Sequence, residues 1–208
     1  TAWGMQQSFG TGAGTNPATD IPLADLLFVI GANPTSAHPV TGAKIKQQAL
    51  SGAKLIVIDP VKTELARLAD YHLQLRPGTN IAVLNMMQYF IVETGLVDDK
   101  FIKERCEGGL EFIEKIKELD VDAMATISGL DKDLVKEAAI AYASANNAME
   151  FHGLGVTEHS QGSQTVMLIS NLAMLTGNIG RPGVGVNPLR GQNNVQGAAD
   201  MGCQPHQG

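Results

Sequence analysis

Two short runs, DLLFVIG (25–31) and AKLIVIDP (53–60), are apolar at nearly every position and constrain the fold more than any other feature of the chain. A strand with one wet face alternates apolar and polar residues, whereas an unbroken apolar run fits a strand covered on both faces of a parallel sheet. Between them, ANPTSAHPVTGAKIKQQALSG turns and then predicts a helix from about Pro39 to Leu50, with Gly52 at its C-terminal cap. After the second run, TELARLAD predicts a short helix, YHLQL a third strand, RPGTN a turn and NIAVLNMMQYFIVETG a strong helix. AMEFHGLG (148–155) repeats the strand-and-glycine pattern, and HSQGSQTVMLISNLAMLTGNIG predicts a long helix. Ser160, Gln161, Ser163 and Gln164 lie in its first turns, where free N–H groups attract anionic ligand atoms. Strands alternating with helical crossovers give an α/β fold with a doubly wound, mainly parallel sheet in three layers.

Between Asp98 and Asn146 the pattern changes: DDKFIKERC, LEFIEKIKEL and KDLVKEAAIAYASA are amphipathic helices whose Glu and Lys residues form solvated faces. The expected organisation is a glycine-rich opening segment (1–24), an α/β cofactor-binding half (25–97), a helical insert (98–146), and a strand, helix and cofactor or active-site loop (147–208). The opening TAWGMQQSFGTGAGTNPATD is unpatterned and lacks an initial Met, and the chain ends in MGCQPHQG without a capping element. Both ends read as cuts in a longer polypeptide. GRPGVGVNPLRGQNNVQGAADMG (180–202) is too rich in Gly, Pro and amides for a helix or strand of its own, so the fold, a ligand or a partner chain must order it.

With 208 residues, 44% of them apolar, the chain is long enough for one large domain or two small ones with a sizeable core. Fifteen Lys and Arg against 21 Asp and Glu give a net charge of -6 with no basic run, which argues against nonspecific nucleic-acid binding. Cys106 and Cys203 belong to no CxxC pair or Cys/His cluster, so no zinc or iron–sulfur site is expected from them. Two separate thiols is the favoured reading, with a disulfide left open. The longest apolar runs fall short of the roughly 20 residues of a membrane span, no signal-peptide pattern opens at Thr1, and no direct membrane contact is expected.

In doubly wound sheets ligands bind beyond the carboxyl ends of the strands, which places GANPTSAHP, IDPV and LRPGTN on one rim. GAN alone lacks the GxGxxG spacing and reads equally as a tight turn. Repetition strengthens it: Asn33, Asp59, the Gly78-Thr79-Asn80 turn and Gly153–Glu158 all lie at strand exits. Asp and Asn there can accept hydrogen bonds from a ribose or a guanine edge, and glycines such as Gly31 allow a ligand close to the backbone. No Walker lysine is present, so triphosphate hydrolysis is not expected. Neither a Ser-His-Asp order nor a paired-carboxylate spacing points to other hydrolysis. His38, His152 and His206 read as structural, whereas His159 is a rim candidate. Arg190, among Gly191, Gln192, Asn193 and Asn194, is suited to bidentate binding of a carboxylate or phosphate. An arginine that only ties down its loop is the alternative that composition leaves open.

NPLRGQNNVQGAADMG, together with GLGVTEHSQG and LAMLTGNIGRPGVGVNP, resembles the catalytic α subunit of molybdenum- or tungsten-dependent formate dehydrogenases, of the molybdopterin oxidoreductase superfamily. FVIGANPTSAHPV, VIDP and LRPGTN are similar to that family's loops for bis-molybdopterin guanine dinucleotide. The resemblance covers nearly the whole chain; RGQNNVQG with GVTEHSQG is specific to formate dehydrogenases, while GANP and DP are shared broadly. It implies the Rossmann-like central domain of the superfamily and oxidation of formate to carbon dioxide. Arg190 would then orient formate and stabilise its carboxylate, with Gln192 and Asn193 beside the pterin. Asn33, Asp59, Asn80, Gly155 and Thr157 would line the dinucleotide, with Gly31 and Gly78 in the same strand-exit loops. The family's metal ligand, a Cys or selenocysteine followed by His, and its 4Fe-4S cluster lie upstream of the matched region, so this chain carries no metal ligand and as a separate piece is expected to be inactive. Formate and electron-transfer subunits or domains are the implied partners. The implied compartment is the cytoplasm, or the periplasm where a twin-arginine signal precedes Thr1. Val61 follows Pro60 where the family usually has Arg, Asn80 stands where Asp is frequent, and the tail QPHQG departs from the family's continuation. The rival readings are a noncatalytic nucleotide-binding or assembly module, like the related subunit of respiratory complex I, and another molybdopterin oxidoreductase such as nitrate reductase. RGQNNVQG favours formate dehydrogenase over both.

Overall fold

The apolar runs form neighbouring parallel strands, β1 (Leu26–Ile30) and β2 (Lys54–Ile58), paired in register from Leu26 with Lys54 to Ile30 with Ile58. The computed structural model describes residues 1–203; the readings of His206 and of the tail QPHQG lie outside them. In chain order the elements are α1 (Ala2–Phe9), β1, α2 (Pro34–Ala37), α3 (Pro39–Leu50), β2, β3 (Tyr71–Leu73) and α4 (Asn80–Glu93). They continue as α5 (Asp99–Arg105), α6 (Gly109–Lys117), α7 (Val121–Ser128), α8 (Lys132–Ala143), β4 (Ala148–His152), α9 (Leu154–Thr157), α10 (Gly162–Leu175), β5 (Gly185–Pro188) and α11 (Val195–Asp200). All four ladders are parallel and the strand order is β3-β2-β1-β4-β5. The α/β, doubly wound reading is therefore the observed architecture.

Alternation along β1 explains why its whole run is apolar. Leu26, Phe28 and Ile30 enter the core beneath α1, α4, α8 and α10, while Leu27 and Val29 enter a second core with Ile45 of α3, Ile21 and Leu65. Each face of the strand is thus dry, as a sheet with helices on both sides requires. Helix α8 packs on α4 and on the sheet itself, with Tyr142 against Phe28 of β1, whereas α6 and α7 pack on α4 and α5 packs on α10.

Three local expectations are corrected. The opening is not unpatterned: Ala2–Phe9 is helical, lies against α10 and buries Met5 completely. A periodicity spread over two turns and interrupted by Gly4 carries too little signal to announce such a helix. TELARLAD holds only a single 3-10 turn, Leu65–Arg67. The 180–202 segment forms both a strand and a short helix, β5 and α11. Strand β5 exists because β4 offers a ladder, pairing Glu150 with Val186 and His152 with Pro188. Proline is tolerated there because β5 is the last strand of the sheet. The opening segment covers its outer side: Thr15 N–H donates to the Val186 carbonyl at 3.1 Å, and Thr15 Oγ1 accepts from Val186 N–H at 2.9 Å.

Candidate functional site

The strand order fixes where a ligand belongs. From β1 the chain runs outward to β2 and β3, then returns to lay β4 on the other side of β1, so the exits of β1 and β4 diverge at a topological switch point. A cleft of about 170 Å³ opens beside that point. Gly31, Ala32 and Asn33 line it from the β1 exit, Asp59 and Pro60 from β2, Gly78 and Asn80 from the turn before α4, and Gly155 and His159 from the β4 side. Six expected residues, Gly31, Asn33, Asp59, Gly78, Asn80 and Gly155, are brought together here.

The polar groups are held by local bonds. Asp59 Oδ1 accepts from Val61 N–H at 2.8 Å, a turn bond within the loop, and the ring of His72 donates to the Asp59 carbonyl at 3.0 Å. Partial burial raises the Asp59 pKa from its ordinary value, opposed by the Val61 N–H and His72. Buried Asn80, the first residue of α4, donates to the Gly155 carbonyl at 3.4 Å, and His159 donates to the same carbonyl at 3.0 Å. Asn33 is exposed, and its side-chain oxygen accepts from Thr35 Oγ1 at 3.0 Å.

The glycines at 31 and 155 have a use before any ligand arrives. Gly31 has φ +55°, and a Cβ on it would lie 2.7 Å from both the Gly155 carbonyl carbon and the Val156 nitrogen. A Cβ on Gly155 would lie 2.9 Å from Gly31 Cα. The two exit loops cross backbone on backbone, joined by Gly155 N–H donating to the Gly31 carbonyl at 3.0 Å. Gly31→Ala is expected to destabilise the fold by about 2–4 kcal/mol, left-handed strain plus overpacking. Urea unfolding checks it, and a loss under about 0.5 kcal/mol, the ordinary surface range, would refute the crossing.

The remaining expected residues lie elsewhere. Thr157, at the end of α9, does not line the cleft. Gln192 and Asn193 are exposed in the turn before α11. Arg190 follows β5, half-buried, with Nη2 donating to the Gly12 carbonyl at 2.6 Å; burial lowers its pKa from the ordinary value. The exits of β2 and β5 are three strand spacings apart, roughly 14 Å. Cleft and arginine therefore occupy two stations along one rim.

Two histidines carry more than the sequence indicated. His38 Nε2 donates to the Arg190 carbonyl at 2.6 Å. His152, the last residue of β4, is 1% exposed with no hydrogen-bond partner on either ring nitrogen. Burial first, with the Arg190 guanidinium acting in the same direction, holds its pKa down to about 3, so the ring is neutral near pH 7. Glu150, Val186 and His152 follow one sheet face toward Arg190, a relation visible only once β4 and β5 are known to pair.

The molybdopterin oxidoreductase family model matches residues 3–207. The chain belongs to the molybdopterin oxidoreductase family. Membership implies a molybdopterin cofactor. This molybdopterin oxidoreductase chain is 46% identical over 206 residues to the F420-dependent formate dehydrogenase 2 subunit alpha of Methanococcus maripaludis, covering 99% of the chain and 30% of the relative. It is 45% identical over 202 residues to formate dehydrogenase H of Escherichia coli, covering 97% of the chain and 28% of that relative. Among solved structures it is similar to acetylene hydratase from Pelobacter acetylenicus, with TM-score 0.77 and 26% identity over 89% of this chain and 25% of that one. The chain thus spans about 30% of the length of the first of these relatives.

Strand-exit donors and acceptors around a cleft at the switch point fit a polar part of such a cofactor. A cleft of about 170 Å³ is smaller than the roughly 300–1,000 Å³ of ordinary ligand pockets, so it has room for only part of a large ligand. Gly78, with φ +85° and nothing within 4 Å of where a Cβ would stand, leaves open space beside the cleft.

Proposed function

We propose that this chain is the part of a formate dehydrogenase catalytic subunit that holds the nucleotide end of a bis-molybdopterin guanine dinucleotide and presents Arg190 to formate. The observation that carries the reading is the placement of a half-buried guanidinium on the same rim as the cleft, at the exit of β5, three strand spacings from the β2 exit. Asn33, Asp59 and Asn80 would bind the guanosine, with Gly31, Gly78 and Gly155 leaving room for it. Thr157, Gln192 and Asn193 would meet other parts of the cofactor. When bound, the cofactor's molybdenum or tungsten centre supplies the acceptor for the two electrons of formate. Arg190 binds and orients the substrate: of its five N–H donors one is engaged by Gly12, and a planar fork matches a carboxylate. A 4Fe-4S cluster and electron-transfer subunits or domains complete the enzyme. The RGQNNVQG segment, not the architecture, supports the oxidation, because acetylene hydratase is similar in fold and is named for a hydration.

Titrating the chain with guanosine diphosphate tests the nucleotide half. At ten times Kd the added stability is about 1.4 kcal/mol, or a rise in melting temperature of roughly 3–6 °C. Asp59→Ala is expected to weaken that rise, and adenosine diphosphate to give less. No saturable shift, or one that Asp59→Ala leaves unchanged, would reject this rim as the guanosine site.

A further inference from the structure

We propose that His38 is a positioning residue for Arg190: mounted between α2 and α3, it donates Nε2–H to the Arg190 carbonyl and ties the arginine segment to the loop that lines the cleft. The inference rests on the role proposed above for Arg190.

Ladder pairing of β5 ends at Pro188. Beyond it, Leu189 N–H still reaches the His152 carbonyl at 2.8 Å, and the next backbone bond is the one from His38 to Arg190 at 2.6 Å, spanning 152 residues of sequence. Gly191 and the residues to Asn194 are exposed. A glycine directly after the arginine leaves the peptide plane free to turn unless its carbonyl is held.

His38 is well mounted for that task. Its own N–H donates to the Pro34 carbonyl at 2.9 Å, and its carbonyl accepts from Gly42 N–H at 2.8 Å. Pro39 opens α3 directly after it, and a Cβ on Gly42 would lie 2.7 Å from the Pro34 backbone, so α3 is docked on α2 with no slack. A carbonyl only accepts, so the ring nitrogen facing Arg190 must carry the proton. Side chain and backbone of Arg190 are thus fixed from two directions, by Gly12 and by His38. One helical turn, α2, separates His38 from Gly31 and Asn33 of the cleft lining.

The test uses the complete catalytic subunit with cofactor loaded. His38→Ala is expected to raise KM for formate about tenfold, to leave metal and cofactor content unchanged, and to speed amide hydrogen exchange at 190–193 more than in α3. His38→Gln, whose amide N–H can take the place of Nε2–H, is expected to recover most of both effects. Added to Arg190→Met, His38→Ala should cost nothing further, since residues acting as a unit are non-additive. A KM within twofold of wild type in His38→Ala, or a Gln variant no better than Ala, overturns the inference. Should Arg190→Met itself retain formate turnover, the proposed function fails instead, and the two failures are distinguishable.

Discussion

Arg190→Met in the complete catalytic subunit is expected to lower kcat/KM for formate by about 10²–10³, the usual cost of removing a preorganised donor from a reacting charge. The segment around it is glycine and amide, and no other Lys or Arg stands between Arg181 and the last residue, so no cation of the same segment takes over. Arg190→Lys keeps the charge and loses the fork, so it too is expected to lose most activity while retaining cofactor. Steady-state kinetics together with metal content check both. Wild-type turnover in the Lys variant would show that a point charge suffices and that the paired N–H geometry has no role. Simple loss of folding is not expected, because the side chain makes one bond, to the Gly12 carbonyl, at the surface end of an edge strand.

Glu150→Gln is expected to make the fold more stable at pH 8 than the wild type, with the advantage shrinking toward pH 5. Glu150 lies in the middle of β4, fully buried between Phe28 of β1 and Val186 of β5. Its Oε1 accepts from the buried Tyr142 hydroxyl, and Oε2 has no hydrogen-bond partner. Burial pushes the carboxyl pKa up to about 8, and the Tyr142 hydroxyl offsets this only in part. In the unfolded chain the same group ionises near 4.3. Below that value it is neutral in both states and contributes its full stability. Between the two values the unfolded chain releases the proton that the folded chain keeps, so stability falls by about 1.4 kcal/mol per pH unit and the contribution is lost once pH passes 8. Glutamine has the same shape and no titration. Urea unfolding of both proteins at pH 5, 6, 7 and 8 measures the gap, and a pH-independent gap would mean that Glu150 is ionised, or paired, throughout.

The acetylene hydratase likeness and the formate dehydrogenase relatives divide the information in this chain. Strand order, switch point and crossing glycines are what the architecture uses, and none of them selects a reaction. The arginine segment carries the proposed substrate contact, and it hangs from the scaffold by few bonds, to His152, Gly12 and His38. Function is therefore expected to be more sensitive than stability to changes in those three attachments.

By itself the sequence determined the sheet class and most of its elements, because Leu26–Ile30 and Lys54–Ile58 are apolar on both alternating faces and only a doubly covered sheet satisfies such runs. It also marked the rim, since Asn33, Asp59 and Asn80 each stand at a break in a periodic pattern. What it did not show were elements stabilised by partners distant in sequence: β5, which needs β4 and the edge cover of Thr15, and α1, which needs α10. Local propensity is weak for Gly-Val-Asn-Pro and tertiary pairing overrides it. The tether from His38 to Arg190 and the unpartnered ring of His152 belong to the same class. A lone histidine looks alike in sequence whether its ring faces solvent, a core or a carbonyl 152 residues away, and only the tertiary structure, by bringing the β1 and β5 exits onto one rim, decided which.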